Sequence, residues 1–445
     1  MTDEPEILFE QRGALGFVTL NRPKALNALT HEMALALHKK LDVWADDGAI
    51  RSVAIVGAGE RAFCAGGDIR TLYESGKAGT SYAREFYRDE YLLNAALKRY
   101  DKPIVSFISG FVMGGGVGVS VHGSHRIADE TTVFAMPETG IGLFPDVGGS
   151  YFLPRMPGAL GMYIGLTGVR VKDYDALYCG MATHFKLSRG RGEVLQYLID
   201  GEPASSVLAQ IPGWDAEHAA YAERSTLRTQ REKIDTIFAA DSVEGILERL
   251  ERDGTDWALD TAKMIRAKSP TATKLAFRQI REGASKDFEN GMRMEFRMVN
   301  RVIAGHDFYE GVRATIIDKD GAPKWSPATL AEVSDADIDA YFKPLDEELP
   351  LPRALYLKAG GWKTALDVIA ALKIALDSPH GHGGSIDAFI DSMVYGSING
   401  VEAPYTIDII GESHAGADAR AFLADLVAAI AEQDDKQRIV FKIAP

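Results

Sequence analysis

The sequence predicts an α/β fold in two units, a large one followed by a small C-terminal one. Three observations carry this. Strands alternate with helices from Leu15 to the glycine run at Gly114-Gly-Gly116, as an α/β core requires. From about Trp214 to Gly305 the spacing of apolar residues turns helical. Then Asp346-Glu-Glu-Leu-Pro-Leu-Pro352 joins a charge cluster to two prolines, and a fresh β-α-α-β-α-β rhythm begins. The expected division is residues 1–345, a linker at 346–352 and residues 353–445.

The elements follow in order. Leu15 to Leu20 reads as a strand ended by Asn21-Arg-Pro, and an amphipathic helix capped near Thr30 runs to about Asp46. Val53 to Gly57 and Pro103 to Ile108 are buried strands, the second leading into Gly110-Phe-Val-Met-Gly-Gly-Gly-Val-Gly118, which opens a helix. Glu244 to Arg252, Trp257 to Lys268 and Ala272 to Glu282 have helical spacing, and Ala331 to Leu345 reads as a last short helix. Beyond the linker come strand Ala354 to Leu357, helix Trp362 to Leu376, and helix Ser385 to Met393 with Ser385 as N-cap. Strand Tyr405 to Ile410, helix Ala417 to Glu432 and strand Arg438 to Ile443 complete the second unit.

Composition narrows the function. A chain of 445 residues exceeds one ordinary core. A net charge of −14 argues against nucleic acid, whose phosphates need basic patches. Two cysteines, Cys64 and Cys179, make no disulfide framework and point to a reducing compartment. The opening Met1-Thr-Asp-Glu-Pro-Glu6 is acidic, unlike a signal or transit peptide. No apolar run reaches the ~18 residues of a membrane span. The expectation is a cytoplasmic enzyme with no membrane or nucleic-acid partner.

Two glycine turns and one loop carry the chemistry. In Arg61-Ala-Phe-Cys-Ala-Gly-Gly-Asp-Ile-Arg70 a strand ends in two glycines, and the Gly114 to Gly116 run starts a helix; both present free N–H groups. One N–H from each would form an oxyanion hole, where each donor is worth about 10²–10³ in rate. Close packing at a turn explains a lone glycine run equally well, and no Gly-x-Gly-x-x-Gly of Rossmann register is present. The stretch from Ala135 to Ser150 sets two carboxylates, Glu138 and Asp146, on a Gly- and Pro-rich loop. Turn capping is their bland reading. Cys64 reads as a small packed residue, since no partner His is near. His122 and His125 lack the further ligands of a metal site, and Asp318-Lys-Asp-Gly321 lacks the Glu that closes a calcium loop. No metal and no redox cofactor is expected.

Taken together, Asn21-Arg-Pro-Lys-Ala-Leu-Asn-Ala-Leu29, Ala62-Phe-Cys-Ala-Gly-Gly-Asp-Ile69 and Met113-Gly-Gly-Gly-Val-Gly118 resemble the crotonase (enoyl-CoA hydratase/isomerase) superfamily. Within it, Arg88-Asp-Glu-Tyr91, the Ala135–Arg155 stretch, Phe308-Tyr-Glu-Gly-Val-Arg-Ala314 and Pro323-Lys-Trp325 are most similar to the 3-hydroxyisobutyryl-CoA hydrolase subfamily. The resemblance implies a ββα spiral with a helical C-terminal region over residues 1–345, and commonly a homo-oligomer. It implies an oxyanion hole from the N–H groups of Gly67 and Gly115, a substrate-binding Glu90, and site carboxylates Glu138 and Asp146. Lys24, Ala25, Leu26, Asp68 and Ile69 would lie along coenzyme A, which is part of the substrate. Hydratases carry a first glutamate where Gly118 stands here, and commonly a glycine where Asp146 stands. That exchange disfavours hydration and suits hydrolysis of a short 3-hydroxyacyl-CoA thioester, with 3-hydroxyisobutyryl-CoA the first substrate to try. Glu138 would be the nucleophile or the base that activates water. The alternatives are an enoyl-CoA hydratase or isomerase, and an inactive scaffold bearing a binding tail.

Residues 353–445 resemble the barstar family of ribonuclease inhibitors, closest in Gly383-Gly-Ser-Ile-Asp-Ala-Phe-Ile-Asp391 and in the ending Arg438 to Ile443. Asp387 and Asp391 match that family's inhibitory acids and, four apart, share a helix face. The resemblance implies a ribonuclease as partner, through complementary charge. Gly381 and His382 replace the family's aromatic pair, and a solvated acidic helix face is the plain alternative.

Overall fold

Ile7–Arg12 (β1) and Leu15–Leu20 (β2) form an antiparallel hairpin in the computed structural model. Gly13 at its turn has φ +57°, and a Cβ there would stand 2.3 Å from the Ile199 carbonyl oxygen. The structure describes residues 4–210, 223, 225–351, 353–379, 381–396, 398, 399, 401, 403–434 and 438–444. Contacts divide it into two units, residues up to Leu349 and residues from Pro350.

The next strands are Ser52–Gly57 (β3), Ala62–Cys64 (β4), Ile104–Phe107 (β5), Phe111–Met113 (β6), His125–Ala128 (β7), Val133–Ala135 (β8), Val171–Lys172 (β9) and His184–Phe185 (β10). One sheet has the order β1-β2-β3-β5-β7-β10 and the other β4-β6-β8-β9. The chain visits the two sheets in turn: β3 then β4, β5 then β6, β7 then β8. Helices Ile69–Ala78 and Tyr82–Arg99 separate the first two visits, and Gly115–Val121 the next two. This is an α/β crotonase-like fold, two strands and a helical segment per turn of a spiral. β4 and β6 pair in parallel, Cys64 opposite Val112, so both chains leave the sheet at the same edge.

The helix His31–Asp46 begins where expected, with the Thr30 side chain accepting from Met33 N–H. Helices Thr226–Phe238, Val243–Asp253, Pro270–Gly283 and Phe288–Val302 each start on a Ser or Asp cap that bonds the N3 N–H. The opening of the helical run expected at Trp214 lies outside the described residues. The expected helix Trp257 to Lys268 runs from Asp256 to Arg266, because Ser269 caps the next helix with Pro270 in its first turn. Lys268 is thereby left between two helices. The last helix of this unit is shorter than expected, Asp335–Phe342, with its own capping box at Ser334 and Asp337. Among the described residues no helix is long and apolar enough to cross a membrane.

In the second unit, Arg353–Lys358 (β11), Tyr405–Ile410 (β12) and Ile439–Ala444 (β13) form a parallel sheet with β12 central. Helices Ala365–Ala375, Ile386–Ile390 and Ala417–Gln433 complete the β-α-α-β-α-β order. Its own core includes Val368, Leu372, Phe389, Ile407, Leu423 and Leu426.

Candidate active site

The common edge of β4 and β6 brings the two glycine turns together. Gly66 turns at φ +119° into Gly67, and Gly114, at φ +45°, precedes the helix that starts at Gly115. A Cβ on Gly115 would stand 2.7 Å from Glu90 Oε1 and 3.3 Å from the Gly67 nitrogen, so a larger residue would push the Glu90 carboxyl aside. Among the described residues, neither the Gly67 nor the Gly115 N–H donates to a backbone carbonyl. Two donors therefore stand side by side and uncommitted, as an oxyanion hole needs.

They open onto a cavity of about 450 Å³. Helix Tyr82–Arg99 sends Phe86, Tyr87 and Glu90 into it, the loop after β8 sends Glu138 and Asp146, and Lys268, Thr315 and Ile316 close the remaining wall. Of the residues singled out in the sequence, Gly67, Gly115, Glu90, Glu138, Asp146 and Ile69 all line this one space. Asp68 stands behind its wall, paired with Arg22 at 2.9 Å and capping the helix Ile69–Ala78. Lys24 and Ala25 are exposed beyond it. Their loop is nonetheless stitched to the oxyanion turn: Ala65 N–H donates to Leu26 and Leu29 N–H to Gly66, at 3.0 and 2.8 Å. Asp387 and Asp391 are exposed residues of the second unit.

Glu90, Glu138 and Asp146 are each at least 96 % buried, which taxes their charged forms. Burial raises Glu138 well above the usual carboxylate range, Asp146's charge adds to this, and Lys268 opposes it. Glu90 is raised likewise, first by burial, then by Asp146, Glu138 and Glu295. Burial pushes Asp146 up to about 7, against a 3.1 Å hydrogen bond from the Tyr91 hydroxyl. The cluster therefore shares protons rather than carrying full negative charge, which lets a base and an acid coexist in one site. Among the described residues, Glu90 Oε1, Glu138 Oε2 and the Tyr87 hydroxyl are buried with no hydrogen-bond partner. Such atoms suit a polar ligand in the cavity.

The Asp146 loop is held against strain. Val147 has φ +49°, a conformation costing a β-branched residue about 1–3 kcal/mol. Glu295 accepts from Gly148 N–H and Ser150 N–H, Gln279 donates to the Pro145 carbonyl, and His122 Nε2 bonds the Val147 carbonyl. Burial lowers His122 to about 3, so its ring is neutral and the Nε2–H donates. Val147 also explains Gly118. A Cβ on Gly118 would stand 2.9 Å from Val147 Cβ and 2.9 Å from Asn94 Nδ2. The place where hydratases carry their first acid is thus filled.

Other readings resolve as packing. Burial pushes the Cys64 thiol up to about 12, unsuited to a nucleophile. Asp318 and Asp320 both pair with Arg313 at 2.7 Å. Sequence reasoning missed Tyr87, Lys268 and Glu295. For Glu295 a signal existed: it sits three residues after Met292 and four before Val299, a charge on an apolar helix face.

A family model described as enoyl-CoA hydratase/isomerase matches residues 15–342. A mitochondrial 3-hydroxyisobutyryl-CoA hydrolase of Danio rerio is 50% identical over 345 residues, covering 77% of this chain and 90% of its own. The protein of the same name from Homo sapiens is 45% identical over 343 residues, 76% and 89% of the two chains. A crystal structure titled carnitinyl-CoA dehydratase, from Mycobacterium thermoresistibile, has a TM-score of 0.73 and 41% identity over 78% of this chain and 98% of that one. One titled enoyl-CoA hydratase, from Rhodobacter sphaeroides, has a TM-score of 0.72 and 36% identity over 78% and 100%. The family match ends before the second unit, so it lends the barstar resemblance no support. The mitochondrial location in the relatives' names differs from the cytoplasmic one expected from the sequence.

Proposed function

The chain belongs to the enoyl-CoA hydratase/isomerase family, and from that premise we propose that it hydrolyses 3-hydroxyisobutyryl-CoA to 3-hydroxyisobutyrate and coenzyme A. One observation carries the choice of hydrolysis over hydration. Glu138 and Asp146 share a buried cavity with the Gly67 and Gly115 N–H groups, while Val147 and Asn94 fill the space beside Gly118. The titles of the two solved structures favour a hydratase, but a second acid has no room there.

The thioester oxygen sits between the two N–H groups, which stabilise the charge it gains as the carbonyl is attacked. Glu138 either adds to the carbonyl carbon, giving an anhydride that water opens, or takes a proton from the attacking water. In both routes the C–S bond breaks and the departing thiolate takes a proton. Water's oxygen joins the acyl group directly in the second route, whereas in the first a Glu138 oxygen joins it and water's oxygen enters Glu138 as the anhydride opens. Asp146, held by Tyr91, orients the water or the 3-hydroxyl, and Glu90 binds that hydroxyl. The coenzyme lies along Lys24–Leu26 and Asp68–Ile69.

A thiol-release panel of acyl-CoA thioesters, with and without a 3-hydroxyl, tests this against loss of enoyl absorbance. Release confined to 3-hydroxyacyl thioesters is expected; enoyl hydration without release would refute it. We propose also a homo-oligomer, checked by light scattering. For the C-terminal unit we propose a barstar-like fold from its order of elements, with the exposed Asp387 and Asp391 facing a basic ribonuclease. Inhibition by the full chain, lost in Asp391→Ala, is the expected result; no inhibition at micromolar concentration removes that reading.

A further inference from the structure

Glu295 lies midway along the helix Phe288–Val302, fully buried, and does not line the cavity. We propose that it is a positioning residue for thioester cleavage, fixing the Asp146 carboxylate by holding the backbone that follows it. This rests on the hydrolase reading above.

Both carboxylate oxygens are engaged. Oε2 accepts from Gly148 N–H at 2.8 Å, and Oε1 accepts from Ser150 N–H at 2.8 Å and from the Ser150 hydroxyl at 2.5 Å. Gln279 Nε2 reaches Oε1 at 3.4 Å and the Pro145 carbonyl at 2.7 Å, tying the near side of Asp146 to the same anchor. Between the two attachments stands Val147 at positive φ, a conformation that persists only where its surroundings impose it. Release of that conformation moves Asp146, and Val147 away from Gly118. The anchor needs acceptors at both ends and no donor, since two N–H groups approach it from different sides. A carboxylate meets that need, and the bonds from Ser150 and Gly148 favour it against the burial that raises Glu295 to about 8; an amide of the same shape turns its NH₂ against one of them.

Glu295→Gln is therefore the discriminating change. In the full chain, thiol release is measured for wild type, Glu295→Gln, Asp146→Asn and the double variant, under single turnover where release is slow. Glu295→Gln should lower kcat by about 10- to 100-fold, the scale of a misplacement near 1 Å. KM should change less than about threefold, because the coenzyme-binding loops are untouched. On the Asp146→Asn background the same change should cost less than about threefold, since its target is gone. Ser150→Ala keeps both backbone bonds and should keep kcat within about threefold of wild type. If Glu295→Gln does not fold, Gln279→Met takes its place, with a smaller kcat loss that again vanishes without Asp146. An equal loss in both backgrounds, or no loss, overturns the proposal while leaving the hydrolase reading intact. A wild type that releases no thiol overturns that reading instead.

Discussion

Replacing Asp146 with Asn should make the protein more stable, and the gain should depend on pH. Asp146 is 3 % exposed and its folded-state pKa is raised from 3.8 to about 7, chiefly by burial. Between those values the unfolded chain is ionised while the folded one holds a proton, so stability falls as pH rises. The stabilising contribution is full below pH 3.8 and lost by the time pH passes about 7. At about 1.4 kcal/mol per pH unit, that interval amounts to about 4 kcal/mol; relaxation around the charge reduces it to on the order of 2–4 kcal/mol. Asn has nearly the same shape, can still accept from Tyr91, and carries no charge. Thermal unfolding of wild type and variant at pH 5 and pH 8, followed by circular dichroism, reads the difference. A Tm gain of several degrees at pH 8 that shrinks at pH 5 is expected. A variant less stable at both, or equally stabilised at both, would show that burial does not disfavour the Asp146 carboxylate as inferred here.

Three further outcomes follow. Gly115→Ala keeps its N–H but puts a Cβ 2.7 Å from Glu90 Oε1, and by pushing that carboxyl aside should lower kcat by about 10- to 100-fold; an unchanged kcat would mean that Glu90 gives way at no cost to the chemistry. Gly118→Ala presses on Val147 and Asn94 and should cost about 1–3 kcal/mol in denaturant unfolding, where an unchanged midpoint would mean the space is open. Cys64, its thiol raised to about 12, should resist iodoacetamide in the native protein and react once urea unfolds it; modification with loss of activity in the folded state would give it a role denied here.

The site was legible where chemistry is written into short stretches of chain. Two glycines after a short strand, and three at the start of a helix, announce their turns without reference to the rest of the fold. The loop carrying Glu138 and Asp146 announces itself by its Gly and Pro. What stayed hidden depends on distant packing. Lys268 reads as the end of a helix, and only the stop at Arg266, imposed by the Ser269 cap, turns it toward Glu138. The positive φ of Val147 has no sequence signal, since a β-branched residue is the last choice for it. β1 went unread because its exposure lacks the alternation that marks a half-buried strand. β6, β8, β9 and β10 are two or three residues each and too short for any periodicity.

The most direct test of Glu138 at the centre of a hydrolytic site is thiol release from 3-hydroxyisobutyryl-CoA by wild type and by Glu138→Gln, with Tm measured on both. Release by wild type and its loss by about 10³-fold or more in a variant that unfolds no earlier is expected. A Gln variant that cleaves the thioester near the wild-type rate would contradict it.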